Sequence, residues 1–227
     1  MKFRIALFLA VILSGTLVAQ TNIGFTGFGS LSHIDTPFDL SNVKALKSIP
    51  GIGASVFIEK ELGDNFALET GAQYVQKGFR IRQRMDTEIF GNPIPIGYTV
   101  DTRLNYLQVP LLLTAKFGGP RLAGFVKAGP RIAYGTHGRI IGKANLLLGL
   151  NVLNEEIPFE TIGLKRWDTG LQFGAGFEVP LDAGSLLIQG AYDLGLTELI
   201  SMGILEAPFK NRSIMVGIGW KMPLQQR

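Results

Sequence analysis

The sequence predicts an all-β fold: a single eight-stranded antiparallel transmembrane β-barrel with short periplasmic turns and long extracellular loops. Three observations predict it. Most of the chain beyond residue 20 alternates apolar and polar residues with period two. Tight turns and long links alternate along it, as at the two rims of such a barrel. Charged residues make up only 18% and the mean hydropathy is +0.25, whereas soluble domains carry about 25% charged residues.

The chain of 227 residues suits one domain. Its start reads as a signal peptide over residues 1–19. Lys2 and Arg4 form a positive n-region, Ile5–Leu13 an apolar run, and Leu17-Val18-Ala19 a small-residue cleavage site. The run is too short for a spanning helix, which needs about 20 residues. Residues 20–227 then form the barrel domain. They contain no 18-residue apolar run and no cysteine, so neither a transmembrane helix nor a disulfide or thiolate metal site is expected. The pI of 9.4 overstates their basicity, because taking Lys2 and Arg4 from 22 basic residues leaves 20 against 18 acidic ones. That balance and the export signal speak against a nucleic-acid partner.

Eight strands are expected, near Thr21–Leu31, Gly51–Leu62, Asn65–Ile81, Arg103–Phe117, Arg121–Thr136, Lys165–Val179, Ser185–Thr197 and Asn211–Met222. Each has room for the roughly 9 to 11 residues that a tilted strand needs to cross a bilayer. Gly63-Asp64, Gly118-Gly119-Pro120 and Pro180–Gly184 have turn chemistry. Ser32–Pro50, Arg82–Thr102, His137–Leu164 and Glu198–Lys210 are long links. Within the sixth strand Trp167, Leu171, Phe173, Ala175, Phe177 and Val179 share one face, opposite Asp168, Gln172, Glu178 and several glycines. The eighth strand places Ile214, Val216, Ile218 and Trp220 together. A soluble barrel would also have one apolar face, turned inward. Its other face would carry many solvated side chains, however, whereas here that face is mostly glycine with single charges. This suits a narrow, curved lumen and is a poor strand surface in water. Pro110 and Pro130 fall nearly opposite each other across the Gly118–Pro120 turn and predict a shared irregularity, such as a bulge.

Several segments resemble the PorT-like, or porin-like, outer-membrane β-barrel family. The most specific is Leu104-Asn105-Tyr106-Leu107-Gln108-Val109-Pro110-Leu111-Leu112-Leu113. Tyr74-Val75-Gln76-Lys77-Gly78, Ala128-Gly129-Pro130-Arg131 with Tyr134, Asp168-Thr169-Gly170 and Tyr192-Asp193-Leu194-Gly195-Leu196 are similar to its other strand motifs. Gln108 stands where that family often has an acidic residue, and Pro223–Arg227 replaces its usual aromatic terminus. The resemblance implies an outer-membrane location and a link with secretion of exported proteins. It implies no mechanism, because fold does not fix function.

Strand parity turns Glu59, Glu69, Gln73, Lys127, Arg131, Asp168, Gln172, Glu178, Gln189 and Asp193 toward the lumen. The expected role of this set is a mutually satisfied polar core, since a charge buried there must be paired; the sharper alternative is a narrow ion path. Arg80, Arg82 and Arg84 share the outward parity at the extracellular end of the third strand. Arginine holds phosphate bidentately, so this trio is a candidate contact for lipopolysaccharide, with a solvated rim as the plainer alternative. Ser32, His33 and Asp35 are close in sequence, but triads are defined by geometry, and catalysis is not expected of them. His33 and His137, both assigned to long links, are too few for a metal site, and no cofactor is expected. Asp39–Ser48 is a candidate short amphipathic helix. The apolar residues Leu146–Leu150 and Val152-Leu153 are candidates for partner binding or for folding over the barrel mouth. The functional reading is a non-enzymatic barrel that scaffolds or assists outer-membrane transport or protein secretion. A small porin-like channel is the alternative, and a loop-based lipid-modifying enzyme a distant third.

Overall fold

The computed structural model describes residues 20–35, 46–89, 92–146, 148–157, 159, 164–198 and 209–224. Residues 1–19, read above as a signal peptide, lie outside these residues. The described residues form ten strands: β1 (Thr21–Asp35), β2 (Leu46–Lys47), β3 (Ile49–Glu61), β4 (Phe66–Ile89), β5 (Asn92–Gly119), β6 (Leu122–Leu146), β7 (Leu148–Ile157), β8 (Trp167–Leu181), β9 (Gly184–Gly195) and β10 (Lys210–Pro223).

Eight of them close into a ring. β1, β3, β4, β5, β6, β8, β9 and β10 each pair antiparallel with two ring neighbours, and β1–β10 pairing, from Asn22↔Pro223 to Asp35↔Lys210, joins the chain's two ends. No edge is left in the ring, which a membrane demands because lipid cannot hydrogen-bond an exposed ladder. β2 adds to β4, and β7 adds to β6, outside the ring.

Burial is inverted relative to a soluble protein. Ile52, Val216 and Ile218 are 70%, 64% and 64% exposed, and Phe25, Val56, Leu111, Leu113, Phe173 and Phe177 are exposed beside them. Lys77, Gln108 and Asp168, in contrast, are at most 1% exposed. The outward face has a measurable height. Trp167 opens β8 and Phe177 faces outward four residues before its end; at ~3.4 Å per residue and a ~40° tilt, the stretch between them rises about 26 Å. That matches the apolar band of about 25 Å in outer-membrane barrels. Register carries the upper boundary around the wall, through Tyr74↔Leu107, Leu107↔Tyr134 and Tyr134↔Trp167.

The lumenal glycines have a packing reason. A Cβ on Gly170 would lie 2.3 Å from the Leu194 carbonyl oxygen and 2.9 Å from the Arg131 guanidinium carbon, and one on Gly174 would lie 3.0 Å from Lys127 Cγ. These positions stay bare so that long cations can lie across them.

Four expectations need correction. The link Arg82–Thr102 is strand: β4 and β5 continue as a hairpin to Ile89↔Asn92. The link His137–Leu164 holds the β6–β7 hairpin, closed at Leu146↔Leu148. Polar residues break the apolar alternation above the membrane, but a ladder in water needs only its hydrogen bonds and cross-strand pairs. For the same reason His33 and His137 lie in β1 and β6, not in loops. In the candidate helix Asp39–Ser48, Leu46–Lys47 is extended and paired with β4; the part up to residue 45 lies outside the described residues. The expected shared irregularity at the two prolines is present, as a gap in the ladder and not as a bulge. β5–β6 pairing breaks between Pro110↔Arg131 and Leu113↔Ala128 without changing register, and Pro130 keeps its place opposite Leu171 in β8. The register shift of this strand pair falls instead at Asn105/Tyr106.

Candidate functional site: the charged lumen and the outer rim

Alternation in eight tilted strands points every second side chain inward, and these side chains fill the barrel. All ten residues assigned to the lumen by parity lie there, and they meet in layers. Toward the extracellular end, Lys77 Nζ donates to Asp193 Oδ2 at 2.7 Å, and Arg131 Nε donates to Asp193 Oδ1 at 2.6 Å. Arg131 also lies 3.1 Å from Asp168 Oδ2. Asn211 Nδ2 donates to that Asp168 oxygen at 3.1 Å and to Tyr106 Oη at 3.4 Å. Two cations thus face two carboxylates, all at most 3% exposed.

Below this layer Gln108 Nε2 donates to Gln73 Oε1 at 2.7 Å. Lys127 Nζ then bridges both Glu69 oxygens at 2.9 and 3.0 Å, and Gln189 reaches Thr26 at 3.3 Å. Gln172 is buried on the same face. At the periplasmic end Lys221 Nζ donates to Glu59 at 2.9 Å and Glu178 at 2.6 Å, while Lys116 Nζ donates to Glu59 at 2.7 Å and Glu61 at 3.2 Å. Two cavities enclosed among these side chains measure about 20 Å³ and 10 Å³, the space of a single water each, and a wider one of about 560 Å³, lined by Asn22, Glu61, Glu178, Lys221 and the 180–184 turn, lies at the periplasmic end.

The lumen holds residues that the parity reading missed: Lys77, Tyr106, Lys116, Asn211 and Lys221. Lys77 has the parity of Glu69 and Gln73, and Lys221 that of the inward glycines Gly217 and Gly219, so continued counting would have found both. Tyr106 shares the parity of the inward Gln108 and is found by the same counting, whereas Asn211 stands at a strand end, where an inward residue cannot be told from a rim residue by sequence.

At the extracellular end Phe159, fully buried, sits edge-on against Tyr106, centroids 5.7 Å apart and planes at 83°. It occupies space that Gly135 leaves open: a Cβ there would lie 2.4 Å from the Phe159 ring. Ser32 and His33 are consecutive in β1 and so point to opposite faces. Ser32 is buried against Ser213 Oγ at 2.9 Å, His33 is exposed, and Asp35 pairs with Arg212 at 3.2 Å. The three form no triad.

Of the outward arginine trio, Arg80 is engaged by Asp101 across the β4–β5 ladder through two bonds, Nη2 to Oδ2 at 2.7 Å being one. That bond to Arg80 holds the Asp101 carboxyl below the usual carboxylate range, well above the membrane-crossing part of β5. Arg82 is exposed, and the Arg84 side chain lies outside the described residues. Below them the outer face turns polar in order of height. Tyr74 Oη donates to Asn105 Oδ1 at 2.8 Å, Gln76 Nε2 donates to the same oxygen at 3.3 Å, and Arg103 Nη1 donates to Gln76 Oε1 at 3.3 Å.

A closed ring of antiparallel strands with an apolar outer band and a charged interior defines a transmembrane β-barrel. The family model of the outer membrane protein beta-barrel domain matches residues 18–201, and the chain belongs to that family. Membership places it in the outer membrane. Among curated proteins none matches it. Of solved structures, Neisserial surface protein A is 10% identical, with 89% of this chain and 97% of that one covered and a TM-score of 0.46. Ail, the attachment invasion locus protein of Yersinia pestis, is 14% identical over 91% and 100%, with a TM-score of 0.42. OprG from Pseudomonas aeruginosa is 13% identical over 90% and 96%, with a TM-score of 0.45.

Proposed function

We propose that this protein is a non-conducting outer-membrane scaffold. Its packed barrel holds the β4–β5 and β6–β7 hairpins above the outer leaflet, where they contact proteins of transport or secretion. The observation that carries the reading is the packing of the lumen. Ion pairs and amide bonds cross it in successive layers, the cavities enclosed between those layers are of single-water size, and the wider space lies at the periplasmic end, below the Lys127–Glu69 and Lys77–Asp193 layers. A hydrated path would need side chains at the wall and space along the axis; here Lys77, Lys127 and Lys221 extend across it. The resemblance of Leu104–Leu113 to the PorT-like strand motif supports the secretion side of the reading.

Two measurements test it together. Purified protein in planar bilayers should give no conductance steps, and steady ohmic steps would overturn the scaffold in favour of a small channel. Tagged protein from gently solubilised membranes should retain a stoichiometric partner that is lost when residues 143–152, the tip of the β6–β7 hairpin, are replaced by a two-residue turn. Recovery of the barrel alone before and after that trimming would remove the role given to the hairpins.

A further inference from the structure

Arg103 of β5 and Arg139 of β6 are direct cross-strand partners on the outer face of the barrel. Like charges placed opposite each other destabilise a sheet unless something lies between or beside them. Arg139 has one counter-charge, Glu156 of β7 at 2.6 Å, but both groups are exposed, at 45% and 64%. Such a pair is worth little in water and yields readily to a stronger anion. Arg103 has no carboxylate bond among the described residues. Its Nη1 reaches only Gln76, and its Nε is buried without a hydrogen-bond partner among those residues.

The surroundings extend the same charge. Lys47↔Arg80 and Arg82↔Thr99↔Lys143 lie in adjacent rows of the same face, with Lys47, Arg82 and Lys143 exposed. Against the six cations stand Asp101 and Glu156 as the described carboxylates paired with them. On the other side of the ring, Arg212 is held by Asp35 at 3.2 Å and by the Gly195 carbonyl at 2.7 Å.

Height identifies the occupant. Leu107 pairs with Tyr74 and Tyr134 at the upper edge of the apolar band, and Arg103 lies further up the same strand, about 10 Å higher at ~3.4 Å per residue and ~40° tilt. The headgroup layer above a hydrocarbon core is roughly 5–8 Å thick, and an arginine reaches down into it along its own stem. The face is continuous with the lipid-contacting wall, so the anions that meet it are those of the outer leaflet.

We propose that Arg103 and Arg139 form the centre of a site for lipopolysaccharide phosphate, with Lys47, Arg80, Arg82 and Lys143 as its basic surround. Their present bonds turn Arg103 toward Gln76 of β4 and Arg139 toward Glu156 of β7, and a phosphate held between the two paired positions would draw N–H donors from both strands, relieving the repulsion between them. The sequence signal for such a contact was the Arg80–Arg84 run; the pairing register moves its centre lower, onto two residues far apart in sequence.

The test is native mass spectrometry of the full barrel released from zwitterionic micelles titrated with bisphosphorylated lipid A. Wild type should retain the lipid. Arg103→Gln with Arg139→Gln should weaken retention at least tenfold, and Arg212→Gln should leave it unchanged. Glu156→Gln, on an exposed hairpin where folding is not at stake, should tighten binding severalfold by freeing Arg139. Unchanged retention in both the double variant and Glu156→Gln would overturn the site. So would equal retention of dephosphorylated lipid A. Complete displacement by millimolar inorganic phosphate would overturn the lipid assignment in favour of a free-anion site. Should the double variant lose its heat-modifiable mobility, Glu156→Gln alone decides.

Discussion

Lys77 of β4 and Asp193 of β9 stand on opposite sides of the eight-stranded ring, yet Lys77 Nζ lies 2.7 Å from Asp193 Oδ2. The bond therefore spans the lumen instead of running along the wall. Asp193 also takes Arg131 from β6 at 2.6 Å, so one carboxylate ties three non-adjacent strands together. Backbone ladders fix each strand only to its neighbours; cross-lumen pairs fix the ring's cross-section.

Breaking this tie on one side should be costly. Asp193→Asn leaves Lys77, at 1% exposure, without a carboxylate partner. Removing one member of a buried ion pair costs about 3–5 kcal/mol. Urea unfolding in micelles should show a loss of that size. Adding Lys77→Met should then recover at least about 1 kcal/mol relative to the sum of the single losses, because the stranded charge is gone and Arg131 keeps Asp168. Additive losses would mean that the two groups do not depend on each other.

Glycine sites should divide by face. Gly170→Ala sets a methyl 2.3 Å from the Leu194 carbonyl oxygen and 2.9 Å from the Arg131 guanidinium carbon, so both the β8–β9 ladder and the upper ion layer must shift. Gly27→Ala, on the outward face of β1, meets nothing within 4 Å. The first should lower the unfolding midpoint and the folding yield. The second should be neutral or raise stability by up to about 0.5 kcal/mol through a less flexible unfolded chain. Equal effects would show that the lumen has slack around Arg131.

The barrel itself was legible in the sequence because its signal is strict. A single face must be apolar for the whole bilayer crossing, so Ile214, Val216 and Ile218, or Phe173, Ala175 and Phe177, announce their strands. The same parity named ten lumenal residues. It failed where the solvent changes. Above the membrane the outer face need not be apolar, and Arg82–Thr102 lost its alternation without losing its ladder. Parity also cannot rank inward residues, so that Lys77, inside a recognisable strand motif, was passed over. Cross-strand partners such as Arg103 and Arg139 depend on register, and the register shift at Asn105/Tyr106 leaves no mark in composition or spacing.

The rim pair Arg80–Asp101 should make the β4–β5 hairpin sensitive to acid. Bonding to Arg80 lowers the Asp101 pKa in the folded state. A lowered carboxylate pKa adds stability that is fully present above the unfolded value, about 3.9, and disappears as pH falls through the folded value. Amide exchange in the hairpin should therefore be faster in Asp101→Asn than in wild type by a constant factor above about pH 5. The difference should shrink below about pH 4. A difference that persists at pH 2 would assign the effect to packing and not to charge.

Phe159 should seal the lumen from outside without being what blocks conduction. Its ring lies against Tyr106 in a cluster with Val75, Leu104, Ala133, Leu164 and Met215, and it depends on the missing Cβ of Gly135. The chain has no cysteine, so Ala133→Cys, a small change at a 1% exposed lumenal site, gives a unique reporter. In the otherwise native barrel this thiol should react with an impermeant maleimide at least ten times more slowly than after Phe159→Ala. Gly135→Ala should reproduce that acceleration by displacing the ring. Neither variant should conduct in a bilayer, because the layer of Lys77, Arg131, Asp168 and Asp193 and the Lys127–Glu69 pair remain in place. Conductance appearing with Phe159→Ala alone would make this one ring the gate of a channel and reverse the reading of the lumen as a packed core.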